Sequence, residues 1–526
     1  MDFLRYRGRL MIGIVLLIVG VYLATRLVNA GGSIIAQVQK VSAIISLIEQ
    51  AYVEEADLNR LSEGAIEGML ERLDPHSVYI PAKEQKDIAE RDAGEFSGIG
   101  VSFIIQNELI TVVTPIAGSP SDRLGIRAGD KIIEIDDVSA FGIKEDEVFK
   151  KLRGPKGTTV KLKIARDGVG EPLEFTVVRE AIPISSVLTS FMLDDSTGYL
   201  LLGQFTATTS DELETTLKRL ERLGLKRLLF DLRNNGGGRL NEAVQVVDMF
   251  IPAGYTIVSR HGRNDDDDST YTSKDEGTHS FYDVVLLMNG GSASASEIVA
   301  GAMQDLDRGL VVGQRSFGKG LVQNSYPLKD GSMIRLSTAH WFAPSGRMVQ
   351  IPYDKGRGEY YAVRYRNQGL EALEKDRVPF KTLSGRIVFG TSGIIPDSTV
   401  EDLKITNGTA QAIGGQIMIS YARDLARAKG LTEKDNFRQF LDSFRVSDEE
   451  LDKIPALAEA QKITYPIEAL GKDREYVRTL IKSEIAQYVW NDRDAYYSVM
   501  MQTDPVVSVA RTLFPEARKI TSRWRK

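Results

Sequence analysis

None of the 526 residues is cysteine, which excludes thiol catalysis, zinc-thiolate sites and disulfides together. Histidine is almost as scarce: His76, His261, His279 and His340 complete the set, and no two of them stand at metal-motif spacing. A metal site is therefore not expected, no organic cofactor is called for, and chemistry that finds no histidine partner on this chain must use another base. A basic excess is missing too. The net charge of -6 leaves nothing to neutralise a phosphate backbone, so nucleic acid is not an expected partner.

What is present fits folded, water-soluble domains, with 42% hydrophobic and 26% charged residues. A chain of this length exceeds one core and should divide into about three or four domains. At the N terminus Arg5, Arg7 and Arg9 precede the uncharged stretch from Leu10 to Thr25, which Arg26 closes. Residues 1–30 thus read as a signal peptide or membrane anchor. Cleavage after Ala30 is one outcome; the charge at Arg26 favours retention. Either outcome is expected to put the bulk of the chain outside the cytoplasm, with the basic end inside.

Along the chain the texture changes four times. Residues 31–92 carry helical periodicity, as in Leu58, Leu61, Ala65, Ile66, Met69 and Leu70, interrupted at Asp74-Pro75. Residues 93–180 are rich in short strands, Gly98 to Phe103, Leu109 to Val113, Lys131 to Ile135 and Val160 to Ile164, with helical stretches near Ser121 to Leu124 and Lys144 to Leu152. Residues 181–403 alternate strand and helix. There Asp265 to Asp268 reads as a solvated loop. Residues 404–526 read as a helical domain with a packing or assembly role. In it Thr432 with Asp435 and Ser447 with Glu450 have capping-box spacing, and Asp473 is placed as the cap of a helix reaching Trp490.

The 93–180 segment resembles a PDZ domain, on Gly98-Ile99-Gly100-Val101, Gly125-Ile126-Arg127-Ala128-Gly129-Asp130 and Leu152-Arg153-Gly154 with Gly157. The glycine pair lets backbone N–H groups converge on a terminal carboxylate, and the following strand edge can pair with an extended peptide.

Two stretches could carry chemistry. Gly291-Ser292-Ala293-Ser294-Ala295-Ser296-Glu297 follows an apolar strand and opens a helix, so Ser294 stands where free N–H groups can stabilise an oxyanion. Ser294 with Glu297 is equally a capping box, and on that stretch alone the cap is the better reading. Lys319, in Ser316-Phe317-Gly318-Lys319-Gly320, shifts the balance. A lysine acts as base only when neutral, which apolar surroundings such as Phe317, Leu321 and Val322 would favour. Gly313 to Lys319 also has the spacing of a phosphate-binding loop. Gly320 supplies no hydroxyl for magnesium, however, and Leu321 to Tyr326 reads as strand where that motif needs helix.

Taken in order, Gly198-Tyr199 with Phe205, Asp231-Leu232-Arg233-Asn234-Asn235-Gly236-Gly237-Gly238, the Ser294 stretch, Phe317-Gly318-Lys319-Gly320 with Gln323, Pro344-Ser345-Gly346-Arg347 and Gly393-Ile394-Ile395-Pro396-Asp397 resemble the carboxyl-terminal processing (tail-specific) proteases over roughly residues 40 to 400. The resemblance implies a multidomain α+β chain: an α/β protease core with ClpP/crotonase-like layers of sheet and helix, an inserted PDZ domain, and helical N- and C-terminal regions. It implies Ser294 as nucleophile, Lys319 as base, Gln323 as its orienting partner, and Ala295 with Gly237 as oxyanion donors. Gly236 stands where the family often has proline. By the same analogy the loop from Gly98 to Val101 captures apolar C-terminal tails of protein substrates, with Arg153 as a coupling contact. An adaptor protein, a homo-oligomer and a membrane contact are further expected partners. A noncatalytic PDZ scaffold on a protease fold is the alternative, and the presence of both Ser294 and Lys319 speaks against it.

Overall fold

The computed structural model describes residues 34–525 except 107, 117, 128, 167, 275–276 and 367–376. The expected signal or anchor, residues 1–30, lies outside the described residues, among which no helix is long and apolar enough to cross a membrane. The chain divides into a small unit up to Tyr79 and a large one from Ile80 onward. The described residues of the small unit are mainly helical, and in Leu58–Leu70 the Asp57 carboxylate accepts the N–H groups of Asn59 and Arg60 as an N-cap.

In the large unit, six strands build the central sheet in the order Val187–Met192, Thr197–Leu202, Arg227–Asp231, Asp283–Met288, Leu310–Gly313 and Ser398–Thr399. All neighbours after the first pair run parallel, so their carboxyl ends share one edge. Side chains alternate between faces with period two. Leu228, Phe230, Val284 and Leu286 pack under the helices Thr209–Arg222, Leu240–Asp248 and Ala295–Asp305. Leu229, Val285, Leu287 and Val312 face the other way and meet Val506, Val507 and Phe514 from the end of the chain. Both faces are covered, which is why these strands read as unbroken apolar runs.

That second layer revises the expectation of one separate C-terminal domain. Helices between Asn407 and Trp490 share a core of their own, whereas Pro505–Thr512 and Phe514–Thr521 complete the central sheet. Two caps also differ. Ser447 and Glu450 form their box, but Thr432 donates to Asp435 in a turn, and the next helix, Phe437–Ser443, is capped by Asn436. Asp473 lies inside Ile467–Trp490 and instead accepts the N–H and hydroxyl of Thr406 at 2.7 Å each.

Burial pushes Glu484, on that long helix, up to about 7, opposed only partly by Arg423. A carboxyl whose pKa rises on folding adds stability while protonated and loses it as pH climbs through the folded value. Melting measured at about pH 8 should therefore show a fold less stable by about 1 kcal/mol than at about pH 6, and Glu484→Gln should flatten that difference.

The PDZ segment is an antiparallel sheet in the order Val101–Gln106, Leu109–Pro115, Lys131–Ile135, Thr159–Ala165 and Leu173–Val178, around Ile110, Val112, Ile132, Val148 and Ile164. The strand expected from Gly98 is split. Glu95–Gly98 pairs with Glu180–Pro183, and Gly100, at φ +77°, turns the chain into the next strand. A Cβ there would fall 2.2 Å from Ser119 Cβ, so glycine is required. Val101–Gln106 lies at the sheet edge, with Phe103 against Phe149 of the helix Glu145–Leu152 at 5.2 Å between rings. A groove of this form suits an added peptide strand.

Candidate active site

Three loops leave adjacent parallel strands at the same edge of the sheet, where open α/β sheets place their ligands. The Asn-Gly loop follows Arg227–Asp231, the Ser294 loop follows Asp283–Met288, and the Lys319 loop follows Leu310–Gly313.

The alternating serines divide their tasks. Ser292 Oγ donates to the Leu232 carbonyl and Ser296 Oγ to that of Asn235, both at 2.8 Å, so the outer two pin the loop to its neighbour. Ser294, between them, lines a cleft of about 630 Å³ that also holds Lys319, Gln323, Gly237 and Ala295. Its backbone is strained, at φ +54° and ψ -115°. For a residue with a Cβ such a conformation costs about 1–3 kcal/mol and needs support from its surroundings.

Glu297 supplies that support, and its role goes beyond the cap read from the sequence. Its Oε2 accepts the N–H groups of Ser294 at 2.8 Å and Lys319 at 2.9 Å. Its Oε1 accepts the Ser316 hydroxyl at 2.5 Å and the Gly318 N–H at 2.6 Å. The capping box is present, but the same buried carboxylate also holds the lysine loop. Burial raises Glu297 above the ordinary carboxylate range, against the pull of these four donors. The glycines beside Lys319 permit the approach: a Cβ on Gly318 would come within 2.5 Å of Ile351, and one on Gly320 within 2.8 Å of the Gln350 nitrogen.

Lys319 is half-buried, and its Nζ donates to Gln323 Oε1 at 2.8 Å. Leu321 and Val322 line the cleft as expected, while Phe317 turns to Tyr360, 6.2 Å between ring centres. Lys319 leads into the strand Leu321–Pro327, not a helix, so the segment lacks the fold of a phosphate-binding loop.

Ala295 is the first residue of its helix, where an N–H has no intrahelical acceptor. Gly237 also reaches the site: a Cβ there would be 2.8 Å from Ser294 Cβ. Its N–H, however, donates to Asn235 Oδ1 at 2.9 Å. Gly237 is therefore not an open oxyanion donor in this conformation, which corrects the role expected for it. Of the PDZ residues, Gly98, Gly100 and Val101 stand at the head of the groove strand and Ile99 is buried. Arg153 stacks on Phe96 and Phe149 and faces Asp87 and Glu90 at 3.7 and 3.9 Å. Those carboxylates belong to the helix Ala82–Ala93, which also contributes Ile88 to the cleft.

Beneath the Asn-Gly loop lies a buried ionic cluster whose roles the sequence did not disclose. Tyr199 donates to Asp231 at 2.7 Å, and Arg233 bridges Asp231 at 2.6 Å and Asp504 at 2.8 Å. Burial alone would lower Arg233, but Asp231 and Asp504 outweigh it and hold the guanidinium well above its ordinary value. Asp504 uses its other oxygen to cap Val507. Asp504→Asn keeps an N-cap and loses the ion pair, so it should lower stability in a denaturant melt by about 1–3 kcal/mol.

Family models match four segments: Peptidase family S41 at residues 196–354, a PDZ domain at 111–166, the activating protease CtpB N-terminal domain at 24–84, and a family of unknown function at 410–491. A carboxy-terminal-processing protease of Bartonella bacilliformis is 38% identical over 349 residues, 64% of this chain and 80% of the relative. A probable CtpA-like serine protease of Staphylococcus aureus is 35% identical over 316 residues, 60% of this chain and 63% of the relative. Among solved structures, a photosystem II D1 C-terminal processing protease aligns with 68% of this chain and 91% of its own, at 24% identity and a TM-score of 0.36.

Proposed function

Because the chain belongs to the carboxy-terminal-processing protease family and is a serine-type peptidase with a PDZ domain, we propose that Ser294 is its nucleophile and Lys319 its general base. The observation that carries this reading is the shared carboxylate. Glu297 Oε2 accepts from the backbone of both residues, fixing the two loops side by side with both side chains on one cleft.

In this mechanism neutral Lys319 Nζ takes the Ser294 hydroxyl proton as Oγ attacks the scissile carbonyl. Gln323 Oε1, accepting from Nζ, aims the amine. The oxyanion is met by the Ala295 N–H and a second backbone donor of the Asn-Gly loop. Collapse breaks the C–N bond, and the lysine ammonium returns its proton to the leaving amine. Water, deprotonated by the same lysine, then hydrolyses the acyl-enzyme and releases Ser294.

Protein or peptide chains are the substrates. The finer reading is that exposed apolar C-terminal tails of envelope proteins enter the groove beside Val101–Gln106. Contacts of Arg153 with Asp87 and Glu90 support a route from that groove to the helix bordering the cleft. The test is incubation of wild type and Ser294→Ala with an unstructured protein. Cleavage by the first alone is expected, and equal cleavage by both would overturn the assignment.

A further inference from the structure

The cleft has a charge that the cleavage chemistry does not use. Apart from Lys319, its lining contains three arginines and one carboxylate: Arg91 from the end of Ala82–Ala93, Arg239 from the start of Leu240–Asp248, Arg335 from Met333–Phe342, and Asp92. Arg335 faces Asp92 at 3.7 Å. Arg91 and Arg239 have no ion-pair or side-chain hydrogen-bond partner among the described residues. In a chain with 72 acidic and 66 basic residues, three arginines from three separate elements converging on one concave site run against the overall balance.

An isolated surface arginine is a solvated charge and implies nothing. Here Arg91 and Arg239, both exposed, line the same hollow as Ser294, where a bound peptide excludes water and a fork of N–H donors gains strength. The apolar part of the lining, Phe205, Leu240, Ile298 and Trp341, suits an uncharged side chain. The rim suits an anion. Resting on the reading that peptide is cut in this cleft, we propose that Arg91 and Arg239 bind a peptide carboxylate there and make the enzyme selective for it. The carboxylate belongs either to an acidic side chain or to the substrate's C terminus.

The experiment uses the full chain and one unstructured peptide in three forms: with Glu residues and a free C terminus, with each Glu changed to Gln, and with Glu retained but the C terminus amidated. An acidic side chain predicts kcat/KM roughly tenfold lower for the Gln form, mainly through KM; a terminal carboxylate predicts the same loss for the amide. In the Arg91→Gln/Arg239→Gln double variant the loss that applies should shrink to within about twofold. Equal cleavage of all three forms by the wild type overturns the proposal. So does a preference that persists unchanged in the double variant, which would assign it to the PDZ groove instead. Failure of the underlying mechanism is read separately, as turnover retained by Ser294→Ala.

Discussion

Lys319→Ala is expected to leave a folded protein whose peptide turnover has fallen by roughly a thousandfold or more. The side chain is half-buried and donates to Gln323, so its removal should change the melting free energy by about 1 kcal/mol. None of the four histidines lines the cleft to take over as an imidazole base. Lys319→Arg should be equally inactive, because a guanidinium keeps its proton. Matched kcat and circular-dichroism melts of both variants and of Ser294→Ala would check this. Wild-type rates in Lys319→Ala beside an inert Ser294→Ala would place the base elsewhere.

Glu297→Gln should remove activity and stability together. The carboxylate accepts two donors on each oxygen. An amide has one oxygen: with its NH2 group toward Ser294 and Lys319 both N–H groups lose their acceptor, and with it toward Ser316 and Gly318 the Gly318 N–H does, while the Ser316 hydroxyl can turn to accept. Orphaning one or two donors costs about 1–5 kcal/mol. The same change frees both loops, and a shift of about 1 Å between nucleophile and base costs on the order of a hundredfold in rate. Glu297→Asp keeps four acceptor sites on a shorter stem and should fall between wild type and Gln on both scales. Full kcat in Glu297→Gln at a temperature where it remains folded would show that the shared carboxylate does not set the geometry.

The comparison of Glu297 with Lys319 shows what can be read in advance. Lys319 stands out as a candidate base because glycines flank it and because the absence of cysteine and the scarcity of histidine leave little other chemistry available. Glu297 stood three residues after Ser294 and declared only the local half of its role, the cap. Its bonds to Ser316, Gly318 and Lys319 cross about twenty residues of chain, and no periodicity encodes such a meeting. Asp504 is a stronger case. It lies in a stretch without a chemical motif, and it reaches Arg233 only because the last helices return to the central sheet. The Asn-Gly loop was located correctly by its glycines, but which N–H stays open was decided by a side chain: Asn235 takes that of Gly237.

By itself, the sequence determined the α/β layering of the core, the PDZ insertion and the helical character of the C-terminal region, and it singled out the serine and lysine proposed as nucleophile and base. Those features rest on period, turn chemistry and ordered motifs, which are local properties of a chain. Tertiary structure alone decided the common carboxylate under the two loops, the second layer supplied by the C-terminal helices, and the arginine rim of the cleft. Each of these depends on groups distant in sequence becoming neighbours, and that depends on where parallel strands end and what the chain packs against them.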